Sequence, residues 1–234
     1  HGYTSELDST LFYGNITPVA KDRKLTVTIN TYGEDIEGVA YKIRSLEDKS
    51  LIENTEVSDY DNAGSSINVT FNIKNLLDTG KEYALEIVLK TKKHEAVYYY
   101  TRIVYGVDYD LQKKLDFVMD FNACTFDDSR LKDIAGYLET SSSGDNTNYG
   151  KVNINCSLSQ VGWGDLDPYV ESDIMPEVIS VDDDVAILRL SYRVGAANDY
   201  SSSDTYTVSE YYRIRQTNSG FYPVSYTHLT LPTT

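Results

Sequence analysis

The chain has 234 residues, 41% of them hydrophobic, and a formal charge of −15. That supplies apolar material for one large core or two small ones. The acidic balance argues against nucleic acid and anionic membrane surfaces as partners, since both recruit basic patches. Two cysteines, Cys124 and Cys156, are too few for a disulfide scaffold, and no stretch is apolar enough to span a bilayer. Tyrosine dominates the aromatics, with 21 Tyr against 6 Phe and 1 Trp. A tyrosine ring packs while its hydroxyl stays wet, which suits thin sheets with half-exposed faces.

In chain order, Leu11, Tyr13 and Ile16 predict an edge strand before Pro18. Residues 24–31 alternate, with Leu25, Val27 and Ile29 on one face, and read as a half-buried strand. Residues 39–46 form the next strand, 50–57 a more polar one, and 59–64 a loop. Residues 65–73 alternate again through Ile67, Val69, Phe71 and Ile73. Two further strands, 82–90 and 96–105, flank a polar turn at 91–95 and make the clearest hairpin in the chain.

Leu77 precedes Tyr83 by six residues, with Asp78, Thr79 and Gly80 between them. This arrangement resembles the E–F corner of fibronectin type III and related immunoglobulin-like sandwiches, where a tyrosine hydroxyl pins the start of strand F. The resemblance covers roughly residues 15–106 and implies an immunoglobulin-like or fibronectin III-like β-sandwich for 1–106. The strand-B tryptophan usual in fibronectin type III domains is absent from 24–31.

A boundary near Val107 follows from a change of period, from that of a strand to that of a helix. Residues 110–121 place Leu111, Leu115, Val118 and Met119 at helical spacing. The run Thr125-Phe126-Asp127-Asp128 reads as a capping box opening a second helix over 126–139, striped by Leu131, Ile134, Ala135 and Leu138. After a polar loop at 140–150, residues 151–159 predict a strand with Val152, Ile154, Cys156 and Leu158 on its apolar face. Residues 162–168 are a loop around Trp163. Residues 177–181 and 185–194 predict a hairpin around Asp182–Asp184, residues 205–216 a long strand, and 220–222 the start of another. The second domain, 107–222, is therefore α+β, two helices followed by an antiparallel sheet. Its element order resembles cystatin-like or nuclear-transport-factor-like folds.

The tail 224–234, VSYTHLTLPTT, resembles the translation of a transposase-type sequencing adapter. The codons GTC TCT TAT ACA CAT CTG ACG CTG CCG ACG read VSYTHLTLPT, and a preceding CCT supplies Pro223. The expectation is that Tyr222 ends the natural sequence, that 223–234 is a non-native tail, and that the second domain is truncated. His1 without a methionine marks the other end as a cut.

Catalytic motifs are lacking: no G-x-S-x-G, P-loop or G-x-G-x-x-G occurs, and His94, the histidine away from both ends, sits in a turn. Zinc lacks ligands, and Asp165, Asp167 and Asp182–Asp184 read as turn residues rather than a calcium cage. No cofactor is expected. Glu210 shares a strand face with Val208, Tyr212 and Ile214, where a carboxylate needs a partner or a raised pKa. Arg189, Arg193, Arg213 and Arg215 fall with Tyr211 on the opposite face, which makes an anion-friendly surface if the strands pair. Trp163 is a glycan or partner platform if exposed, and a loop anchor if buried. Three functions are weighed. The first is a non-catalytic interaction or spacer module of a larger bacterial cell-envelope or secreted protein. The second is a carbohydrate-binding or accessory module of a glycan-processing protein. The third is an enzyme using Glu210 and the arginine face. A protein or glycan partner is expected, with no membrane insertion within the chain and any anchor lying upstream. The acidic, strand-rich composition points to an extracytoplasmic location.

Overall fold

The computed structural model describes residues 2–60, 65–197, 203–218 and 220–232. Most of the loop expected at 59–64 lies outside them. The chain divides into two compact units, His1–Asp108 and Tyr109–Thr234.

The first unit is a β-sandwich of seven strands: β1 (Ile16–Val19), β2 (Lys24–Asn30), β3 (Ile36–Ser45), β4 (Leu51–Val57), β5 (Ser66–Asn72), β6 (Glu82–Thr91) and β7 (Val97–Tyr105). One sheet has the order β1-β7-β6-β3-β4 and the other pairs β2 with β5. β1 runs parallel to β7, and as an edge strand it tolerates Pro18. Tyr13, expected in that strand, is exposed ahead of it. Both sheets feed one core, with Leu25, Ile67, Val69 and Phe71 from the smaller and Tyr41, Ile43, Leu85 and Ile103 from the larger. The corner before β6 is pinned twice. Asp78 N donates to Tyr83 Oη at 2.7 Å, and Gly80, at φ 77°, donates its N–H to Tyr105 O at 2.8 Å.

The polar strand β4 hides a carboxylate. Glu53 is buried, and its oxygens accept from Tyr41 Oη at 2.5 Å, Asn75 N at 2.9 Å, Lys74 N at 3.0 Å and Thr55 Oγ1 at 3.1 Å. It thereby ties β3, β4 and the segment after β5 together. Burial works against its charge, but the four donors outweigh it and hold the carboxyl below its ordinary range.

In the second unit, α1 (Leu111–Thr125) precedes a short 3-10 stretch (Leu131–Tyr137). There follow β8 (Lys151–Asn153), a one-turn α2 (Leu158–Val161), β9 (Tyr169–Val170), β10 (Met175–Val181), β11 (Val185–Ala197), β12 (Ser203–Thr217) and β13 (Gly220–Pro232). The sheet has the order β10-β11-β12-β13-β8, with β9 paired to the end of β11. α1 packs on one face of it, placing Phe121 5.6 Å from the Tyr212 ring and 5.2 Å from Tyr226.

Several expectations need correction. The second helix over 126–139 is a 3-10 segment only. Thr125 ends α1 and turns its hydroxyl back to Asn122 O, while Asp127 accepts from Ser129 N, so no capping box forms. The strand expected over 151–159 stops at Asn153, whose side chain accepts from Asn155 N and starts a turn. Val152, Ile154 and Cys156 are buried even so. Both cysteines are buried and free. The buried stripe of α1 is Lys114, Val118, Phe121, Asn122 and Thr125, while Leu111, Leu115 and Met119 are half-buried. Residues 224–232, the adapter-like stretch, take a place in the sheet as most of β13. Their alternating β-branched and aromatic side chains fit a pleated strand, and backbone pairing is tolerant of sequence.

Replacing Glu53 with Ala strands two backbone amides and leaves the Tyr41 hydroxyl with Asn72 O as its remaining acceptor. It should lower the stability of the first unit by about 3 kcal/mol in chemical denaturation, with Glu53→Gln costing less. Because the folded carboxyl titrates below its unfolded value, its contribution is complete above the usual glutamate range, about pH 4. It should be lost as pH falls through the folded pKa, and the Gln variant should lack that loss.

Candidate functional site

The site residues are distributed by one strand pair. β11 and β12 run antiparallel in the register Val185↔Arg215, Ile187↔Arg213, Arg189↔Tyr211 and Arg193↔Thr207. Directly paired residues share a face, so the four arginines and Tyr211 stand together on the outer side of the sheet. Arg193, Arg213, Arg215 and Tyr211 are exposed. Arg189 is half-buried, ion-paired with Glu177 on β10 and hydrogen-bonded to Tyr211. Among the described residues, Arg193, Arg213 and Arg215 form no ion pair. Cross-strand neutralisation thus reaches one arginine of the four. The same face carries exposed Met175, Leu229 and Leu231.

The even-numbered residues turn inward. Ala186, Leu188, Leu190 and Tyr192 from β11 and Val208, Glu210, Tyr212 and Ile214 from β12 are buried. Glu210 is 0% exposed. Its carboxylate accepts from Tyr212 Oη at 2.7 Å, Tyr192 Oη at 2.8 Å, Asn122 Nδ2 at 2.9 Å and Tyr226 Oη at 3.4 Å. Asn122 Nδ2 also reaches Tyr192 Oη at 3.1 Å. Burial raises the Glu210 pKa and the four donors only partly offset it. The three phenols are pushed well above their ordinary pKa, mainly by burial and then by the Glu210 charge. The cluster is a buried hydrogen-bond hub between α1 and the sheet.

Tyr226 and His228 come from the adapter-like stretch; Asn122, Tyr192 and Tyr212 do not. His228 Nδ1 lies 3.9 Å from Glu210 Oε1, yet burial lowers its pKa to about 4, so it faces Glu210 as a neutral ring with that nitrogen unpartnered. Nε2 is hydrogen-bonded to Thr230 Oγ1.

The arginines and Glu210 therefore lie on opposite faces of the β11–β12 pair and are not brought together in one site. Trp163 is 1% exposed, wedged among Phe126, Tyr149 and His228 at centroid distances of 5.5, 6.0 and 4.2 Å. It is a loop anchor rather than an exposed platform. Its Nε1–H has no acceptor among the described residues, which costs roughly 1–3 kcal/mol. His94 is exposed in its turn. Among the described residues no group of three or more His, Cys, Asp or Glu is placed to hold a metal. The Asp182 carboxylate accepts from Asp184 N and Val185 N, as turn chemistry requires.

Two buried polar residues of α1 escape sequence reasoning. Asn122 supplies the helix donor to Glu210. Lys114 is 0% exposed and donates from Nζ to Asp182 O at 2.6 Å and Asp183 O at 3.2 Å, fastening the helix to the β10–β11 turn. Burial lowers its pKa. A polar residue one helical turn from Val118 was the available signal for each.

Glu210 titrates above its unfolded value, so its ionisation costs stability as pH rises through the folded pKa, and protonation below the unfolded pKa removes the cost. In Glu210→Gln the side chain stays neutral. The melting-temperature difference for the second unit, variant minus wild type, should therefore grow from about pH 4 to about pH 8. A difference that is flat with pH would contradict the raised pKa.

No protein-family model matches the chain, and comparison with curated proteins finds no match.

Proposed function

We propose that this chain belongs to a non-catalytic interaction and spacer module of a larger extracytoplasmic protein, and that its second unit engages an acidic partner protein through the outer face of β11 and β12. The observation that carries this reading is the set of three guanidiniums, Arg193, Arg213 and Arg215, exposed without an ion pair around Tyr211 in a chain of charge −15. Unpaired charges on a surface act through long-range steering and through new pairs made on binding. Arginine forks suit carboxylates, and tyrosine and arginine are enriched where interfaces concentrate their energy.

The first unit is read as an immunoglobulin-like or fibronectin III-like spacer. Its strand order and the Asp78–Tyr83 corner bond support that reading. The second is read as a cystatin-like or nuclear-transport-factor-like fold, on the strength of a long helix packed across an antiparallel sheet. The tail 223–234 is taken as foreign to the natural protein, on its match to an adapter. A cell-envelope or secreted location is supported by acidic, tyrosine-rich, β-dominated composition. The carbohydrate alternative loses its main support with the burial of Trp163.

Poly-L-glutamate, followed by fluorescence anisotropy at low ionic strength, serves as the acidic probe. Arg193→Glu/Arg213→Glu should weaken binding by about tenfold or more. Lys92→Glu/Lys93→Glu, with the same change of charge on the first unit, should have a much smaller effect. Equal losses in the two variants would reduce the effect to net charge, and full binding by the arginine variant would sink the reading.

A further inference from the structure

Behind the arginine face, on the inner side of the same sheet, the second unit holds a cavity of about 380 Å³. Its walls include Tyr149, Trp163, Leu166, Val194 and Tyr206, with the Asn148 and Gly150 loop at its rim and Thr230 and Pro232 on one side from the adapter-like stretch. We propose that this cavity is a binding site for a small, neutral, ring-bearing apolar molecule.

Three observations converge on that chemistry. The volume lies in the range of small-ligand sites, which are concave, mostly apolar and few per protein. Three of the seven lining residues upstream of the adapter-like stretch, Tyr149, Trp163 and Tyr206, are aromatic, and such walls favour offset or edge contacts with another ring. Among the described residues no charged side chain lines the cavity of this strongly acidic protein. A charged ligand would lose its hydration there without a counter-charge, so the ligand is neutral.

The walls are also held in place before any ligand arrives. Trp163 and Gly164 adopt φ of 65° and 53°. The Tyr149 hydroxyl rests against Gly164 so closely that a Cβ there would meet it at 2.3 Å. Ser157 caps α2, just ahead of this loop, by accepting from Gln160 N. Preorganised walls reduce the ordering cost of binding. The cavity faces away from the arginines, so this site and the acidic-partner face stand or fall separately.

Trp163 is the only tryptophan of the chain and forms a wall of the cavity, so its emission reports occupancy directly. The probe is N-phenyl-1-naphthylamine, which is neutral and accepts energy from indole. Titrating it into the full chain should quench Trp163 emission saturably, with matching gain in probe emission. Leu166→Arg should weaken binding about tenfold or more by placing an unpaired charge in the wall, with circular dichroism and melting temperature reporting the fold. Leu166→Met should retain binding. On the wild-type chain, benzyl alcohol should displace the probe far better than benzoate. Absence of saturable transfer would overturn the proposal. So would equal binding by a folded Leu166→Arg variant, or displacement by benzoate as effective as that by benzyl alcohol.

Discussion

The pairing of β11 with β12 is the constraint on which the second unit depends. It runs from Val185↔Arg215 to Ala197↔Ser203 without a shift in register. Because side chains alternate along a strand, that unbroken register sends every arginine of the pair outward and Glu210 inward. A slip by one residue would reverse both assignments, burying guanidiniums against α1 and exposing the carboxylate. The irregularities in this sheet fall in its neighbours, β10–β11 and β12–β13. The central pair is thus kept regular where the faces differ most in chemistry.

The first unit buries Glu53 and Glu86 and the second buries Glu210, and Glu53 and Glu210 are accommodated differently. Glu53 sits on an edge strand and takes two backbone amides as well as hydroxyls, which suffices to keep it ionised. Glu210 lies on a central strand whose backbone donors are committed to the ladder. Only side-chain donors remain, and they do not fully compensate for burial. The same residue type therefore has opposite electrostatic character in the two halves. Acidification weakens the first unit through Glu53 and relieves the second through Glu210.

The β architecture was legible because period-2 alternation is a direct imprint of a two-sided strand. Residues 24–31, 65–73, 82–105, 185–194 and 205–216 all read that way, and the Tyr83 corner followed from Leu77 and its spacing. The second helix misled for a local reason. Leu131, Ile134, Ala135 and Leu138 keep helical spacing, but the Asp127 side chain turns the chain first. The alternation persisted in burial through Cys156 after the strand itself had ended, since a turn can bury successive even residues as well, whereas Leu158, in α2, is only half-buried. Glu53, Asn122 and Lys114 were illegible for a common cause. Each is a polar side chain whose burial is decided by partners far along the chain, and no local pattern records them. The faces of β11 and β12 were readable from alternation, but the separation of Glu210 from the arginines became decisive only once the register was fixed.

β13 has a further consequence. It pairs with one side of β12 along Tyr206–Thr217, and residues 224–232 supply most of that cover. A chain ending at Tyr222 would leave most of that side as a bare edge in the middle of the sheet, with the Glu210 hub open beside it. Unpaired N–H and C=O groups in such a row template pairing with another chain. The shortened protein would be drawn into strand-mediated self-association, and its solubility would depend on whichever segment takes the place of β13.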